Sequence, residues 1–152
     1  MAALVIDEWL WADLRGANEG QQQKETFQFL QAIFKKCDRI VTVKGSPFDQ
    51  KYLGLFDRHN QVRNRLALYY RDFFRYNSLK SFLIEENQLA ELSSELSLQV
   101  EQSDHYVVRA FLASQASAIV TTDVPLKEVL DKHGIPCSYR DEFVRDYILR
   151  YG

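Results

Sequence analysis

Two short runs of apolar and β-branched residues in this chain end in an aspartate: Ala3-Leu4-Val5-Ile6 before Asp7, and Ala118-Ile119-Val120-Thr121-Thr122 before Asp123. A third aspartate, Asp104, opens a helical run with Val107, Val108, Phe111 and Leu112 that leads into the second of these strands. Taken singly, each acid reads as a helix cap or a solvated turn. Taken together, acids expected near one edge have a collective chemistry, because crowded carboxylates repel one another unless a cation neutralises them. Their hard oxygens suit Mg²⁺ or Mn²⁺, and such a metal lowers the pKa of a bound water. Other chemistries lack their parts. There is no Ser-His-Asp or Cys-His order, and the six glycines are too scattered for a phosphate-cradling loop. Cys37 and Cys137 lack metal-ligand spacing and read as buried thiols in a reducing, cytoplasmic setting. His105 reads as a helix-surface residue or a substrate contact, while His59 and His133 have no visible role.

The elements that must position these acids follow from periodicity. Residues 3–6, 39–43 and 118–122 are short, without polar alternation, and read as strands buried on both faces. Residues 135–139 read as an edge strand, since Pro136 cannot donate to a ladder. Helices are predicted over 21–37, from Ser46 as N-cap with Pro47 in the first turn, over 58–76, over the acidic stretch 85–102, from Ser103-Asp104 onward, over 125–133 closed by Gly134, and at the end around Phe143, Tyr147 and Ile148. Strands alternating with helices imply a three-layer α/β/α sandwich around a mainly parallel sheet of four to five strands, built as one domain over 1–152. Sites in such sheets lie beyond the carboxyl ends of the strands. Asp7 and Asp123 belong there. The Asp104 helix begins on the opposite side from where a simple strand–helix–strand count would place it, unless the chain before it crosses over, and the sequence leaves its side open.

Composition narrows the partners. The chain is 46% hydrophobic and 26% charged, which fits a folded domain rather than a disordered one. No apolar run approaches the roughly 20 residues of a membrane span, and the start, Met1 to Asp7, lacks the basic region of a secretory leader. The net charge of −2 gives no global attraction to polyanions. A local one is available in Arg58, Arg63, Arg65, Arg71, Arg75 and Lys80, with only Asp57 and Asp72 nearby. Arg71 and Arg75, one helical turn apart, are expected to share a face and meet phosphates. The alternative is a solvated helix whose arginines pair with the acidic stretch between Glu85 and Glu101. The many aromatics either fill the core or, at Phe73, Phe74, Tyr76 and Phe82, form a patch that pairs two copies as a homodimer.

Several of these residues resemble a known family. Val5-Ile6-Asp7 looks like the first strand and metal-binding aspartate of PIN-domain nucleases. Asp104-His105-Tyr106-Val107-Val108-Arg109-Ala110-Phe111-Leu112-Ala113, followed by Ala118 to Asp123, is similar to the family's carboxy-terminal half, where an aspartate opens an alanine-rich helix and the next strand ends in Thr-x-Asp. The resemblance implies a Mg²⁺- or Mn²⁺-dependent endoribonuclease acting on single-stranded RNA, with Asp7, Asp104 and Asp123 as metal ligands and Arg71 and Arg75 along the RNA path. It implies a fourth acid after the second strand: Asp49, after Ser46-Pro47-Phe48, or alternatively Asp57. It also implies a toxin held by a small antitoxin protein as one biological setting. The chain departs from the family where Glu8 and Trp9 replace a small hydroxyl residue after Asp7. Glu8 either adds a ligand or marks a site that has drifted into a catalytically inactive RNA-binding or assembly module. A phosphoacceptor receiver domain is a further alternative, because Asp7-Glu8 fits its acidic pair.

Overall fold

A computed structural model describes residues 2–152. Its strands are β1 (Ala3–Ile6), β2 (Arg39–Val43), β3 (Ser81–Ile84), β4 (Ala118–Thr121) and β5 (Cys137–Tyr139). They form one sheet in the order β3-β2-β1-β4-β5, every pairing parallel. The helices are α1 (Trp9–Arg15), α2 (Gly20–Lys36), α3 (Pro47–Lys51), α4 (Gln61–Tyr70), α5 (Ser94–Gln99), α6 (His105–Ser114), α7 (Val124–Lys132) and α8 (Arg140–Tyr151).

The continuously apolar strands do what their pattern requires. Alternate residues enter two separate cores: Leu4, Ile6, Ile40 and Val120 pack with α1, α2, α4 and α8, while Val5, Val41, Val43 and Ile119 pack with α5, α6 and α7. The chain is therefore a three-layer α/β/α sandwich. Its connections explain the split. From β1 the chain steps outward to β2 and β3 with its helices on one face. It then reverses, and a right-handed return to β4 and β5 requires the other face. No helix is long and apolar enough to cross a membrane among the described residues.

Two expectations need correction, and two features were not legible. The helix over 58–76 is two pieces: α4 from Gln61, capped by the Asn60 side chain, then one π-turn over Arg71–Arg75. The helix over 85–102 does not form. A capping box at Glu85 and Gln88 makes one 3₁₀ turn, Leu89 is extended (ψ 142°), and Ser93 caps the short α5. Leu89 and Leu92 still pack on the core from that irregular segment. Strand β3 and helix α1 also lack a distinctive pattern: Ser81-Phe82-Leu83-Ile84 is too short to show a period, and the tryptophans of α1 read as flanks of β1. The side that the sequence leaves open for Asp104 is the carboxyl one, beside Asp7 and Asp123. The chain leaves β3 at that edge, and α6 must run back antiparallel to the strands to start β4 at the opposite one.

Candidate acidic site

The strand order reverses between β1 and β4, and such a switch point opens a crevice beyond the carboxyl ends. Asp7 follows β1 and Asp123 follows β4 at that crevice. Thr121 ties them together. Its buried hydroxyl donates to Asp7 Oδ2 (2.9 Å) and accepts from the Asp123 N–H (3.0 Å), so its one proton is committed to the Asp7 carboxylate. Asp7 Oδ1 accepts from the Glu8 N–H (2.7 Å). The Val120 carbonyl accepts from both the Asp7 N–H (3.1 Å) and Trp9 Nε1 (2.9 Å), fastening the start of α1 to β4. Trp11 Nε1 donates to the Phe48 carbonyl (2.8 Å). The two indoles are thus braces within the core.

Asp104 arrives from α6. It occupies the cap position of that helix without a side-chain cap bond, against the expectation that Ser103-Asp104 caps it. Half-buried, its carboxyl is pushed up to about 6, first by burial and then by the Asp7, Asp123, Glu101 and Glu8 charges. Asp7 is raised in the same sense by burial and by Glu8 and Asp123, with the Glu8 N–H and Thr121 bonds opposing. Asp123 spends Oδ1 on the Leu126 N–H (3.0 Å), capping α7. The structure thus brings Asp7, Asp104 and Asp123 into one electrostatic neighbourhood, with Glu8 at its edge.

Tyr106 is a component that sequence reasoning passed over. Its hydroxyl is buried without a partner of good hydrogen-bond geometry, and burial plus the Glu8, Asp7 and Asp104 charges raise its pKa against an opposing approach of the Phe48 N–H, so it stays a neutral donor among carboxylates. Its only signal in the sequence is its place two residues after Asp104. Glu8 Oε1 also lacks a bond of hydrogen-bond geometry, although Lys51 Nζ approaches it at 2.5 Å.

Asp49 lies apart from this group. Its carboxylate accepts from Arg75 Nε (2.5 Å), Arg75 Nη2 (3.1 Å) and the Gly45 N–H (2.9 Å), while its own N–H is capped by Ser46 Oγ. Arg75 is accordingly not a free cation, and Arg71 pairs with its neighbour Asp72 (2.9 Å). The two arginines fall in the π-turn, where residues four apart no longer stack on one face as in an α-helix. Lys80 is buried, donating to the Phe34 carbonyl (2.6 Å) at the end of α2. Arg63 holds Asp57 (3.2 Å). His105 turns its ring to the Val100 carbonyl (2.9 Å). In the expected dimer patch, Phe73 and Tyr76 are exposed but Phe74 is fully buried. Cys37 is exposed and Cys137 half-buried, its thiol pushed up to about 11 by burial.

All the donors around the crevice are carboxylate, hydroxyl or backbone oxygens, a set whose chemistry fits a hard divalent cation. As placed, no three His, Cys, Asp or Glu side chains among the described residues form a ready ligand group. The carboxylates crowd without closing, and the Asp104 carboxylate makes no hydrogen bond. The strand order also separates this sheet from the receiver-type order 2-1-3-4-5. Compared with known proteins, the chain matches no family model and no curated protein.

Proposed function

We propose that the chain is a Mg²⁺- or Mn²⁺-dependent endoribonuclease of the PIN-like kind, hydrolysing phosphodiester bonds in single-stranded RNA. The observation that carries this reading is the meeting of Asp7, Asp104 and Asp123 at the switch point, with the Asp104 carboxyl raised and unbonded. Those three would hold the metal, which when bound supplies a nucleophilic hydroxide near neutral pH and charge to offset the phosphate. The rest falls to this chain's own groups. Thr121 and the Glu8 N–H fix the Asp7 carboxylate before anything binds, so no reorganisation is needed there. The Asp123 cap fixes a second carboxylate against α7. Tyr106, protonated and unpaired, is available to donate to a substrate oxygen. Asp49 is a structural acid here, engaged by Arg75. A cytoplasmic setting and a small antitoxin-like inhibitor covering the acidic crevice belong to the same reading.

The test is cleavage of single-stranded RNA with Mn²⁺, with and without chelator, by the wild-type chain and by Asp7→Asn, Asp104→Asn and Asp123→Asn. Each substitution should abolish chelator-sensitive cleavage while leaving the fold intact. Wild-type cleavage by Asp104→Asn would overturn the assignment. A second reading, a PIN-like module without catalysis, is favoured by the unclosed ligand group and by the Lys51 ammonium already beside Glu8. Calorimetry showing no Mn²⁺ uptake, together with no cleavage, would select it.

A further inference from the structure

Beside the acidic crevice, on the side of α1 and α3, lies a cavity of about 550 Å³ walled by Glu8, Trp9, Trp11, Arg15, Gln50 and Lys51. Its charge is opposite to that of the crevice. Arg15, in the last turn of α1, is exposed and in no ion pair among the described residues. Lys51, at the end of α3, reaches only Glu8, and its side chain is 56% exposed. An ion pair that open to water is held weakly and exchanges readily. The cavity therefore offers two cations against one carboxylate. The indole N–H groups of its wall are spent on the Val120 and Phe48 carbonyls, which leaves recognition to Arg15, Lys51 and the Gln50 amide. Glu8 is shared: it walls this cavity and also raises Asp7 and Asp104 electrostatically. The two sites are contiguous.

Contiguity matters because a strand is a row of anions. An acidic centre can take one phosphate only through a cation, and the phosphates on either side would meet repulsion from the same carboxylates. We propose that the cavity holds the phosphodiester next to the one cut, with Arg15 and Lys51 as its cations and Gln50 as a neutral donor. This rests on the nuclease reading for the identity of the strand. It gives RNA a path along α1 and α3 in place of one through Arg75, which is held by the buried Asp49 carboxylate. Guanidinium and ammonium groups make charge-assisted bonds to phosphate that are stronger than the exposed contact Lys51 gives up.

The test is equilibrium binding of a fluorescent single-stranded octaribonucleotide with a cleavage-resistant phosphorothioate backbone, with Mn²⁺ present, over a range of salt concentrations. Arg15→Ala and Lys51→Ala should each weaken binding roughly tenfold. Each should also lower the salt slope of log affinity by about 0.7. Arg15→Ala is the cleaner variant, since it strands no acid. Lys51→Arg should keep the slope and Lys51→Ala should lose it. If Lys51 merely neutralises Glu8, the slope stays put while thermal stability falls, and the proposal is overturned. It is also overturned if the wild-type chain does not bind the strand, or if a free nucleoside monophosphate displaces it as well as a second strand does. Normal binding and slopes without Mn²⁺-dependent cleavage would sink the nuclease reading and leave the phosphate subsite standing.

Discussion

Arg75 lays two guanidinium nitrogens on the Asp49 carboxylate, Nε on Oδ1 at 2.5 Å and Nη2 on Oδ2 at 3.1 Å, and the two side chains are only 11% and 8% exposed. Removing one partner of such a pair leaves the other charge buried and alone. Arg75→Ala should cost about 3 kcal/mol, which for a chain of this size lowers the melting temperature by roughly 6–12 °C. The salt slope of RNA binding should not change. Thermal melts alongside binding titrations check both, and a reduced slope at full stability would return Arg75 to the RNA path.

Thr121 is the next place where one atom serves two partners. Thr121→Val deprives Asp7 Oδ2 of its donor and the Asp123 N–H of its acceptor in a buried setting, a loss of about 2 kcal/mol. Thr121→Ser keeps the hydroxyl and should retain most of the stability and the cleavage rate. Equal melting temperatures for the valine and serine variants would show that only the shape of the side chain matters.

Asp104 predicts a pH dependence with a definite sign. Its folded pKa, about 6, lies above the ordinary 3.8. The folded chain therefore binds this proton more tightly than the unfolded chain does. Its stabilising contribution is complete below pH 4 and is lost as pH rises through about 6. The group is half exposed, so after discounting for solvent screening the effect is on the order of 1 kcal/mol. Without metal, Asp104→Asn should be more stable than wild type at pH 7 and equal to it near pH 4. Denaturant midpoints at the two pH values measure the difference directly. A wild-type advantage at pH 7 would contradict the crowding of the three aspartates.

Tyr106→Phe separates burial from function in one substitution. Deleting a buried hydroxyl that bonds to nothing should leave stability unchanged or raise it by up to about 1 kcal/mol. If the phenol donates to substrate, kcat should fall by roughly tenfold or more with little change in melting temperature. Cleavage at the wild-type rate would make Tyr106 a packing residue.

Much of this arrangement could be read from the residues, and the exceptions have physical causes. Asp7 and Asp123 were legible because short apolar strands buried on both faces have an unmistakable end. Asp104 was legible as the start of α6, while its side of the sheet stayed open in the sequence and is set by the reversal after β3, which brings the helix back antiparallel. The pairing of Asp49 with Arg75 was not legible, because the contact spans 26 residues and neither periodicity nor motif reports a pairing made by tertiary structure. The same holds for Asp13 and Arg140, 127 residues apart, whose 2.9 Å bond fastens α1 to α8 through a guanidinium that also meets Glu25 and Thr26. The leucine spacing of residues 85–102 pointed to a helix because burial alone sets that spacing, and the irregular segment buries Leu89 and Leu92 without one.

Within the sheet, the central strand β1 is synthesised before the other four, and β4, the neighbour that completes the crevice, comes fourth. Asp7 waits for Thr121, 114 residues later, before its carboxylate is held. During translation that gap lasts on the order of ten seconds. Over that interval β1 is an apolar strand without one of its two partners. Until β4 pairs with β1 the Asp7 carboxylate has no Thr121 hydroxyl beside it, so the acidic crevice takes shape only when the later strand docks.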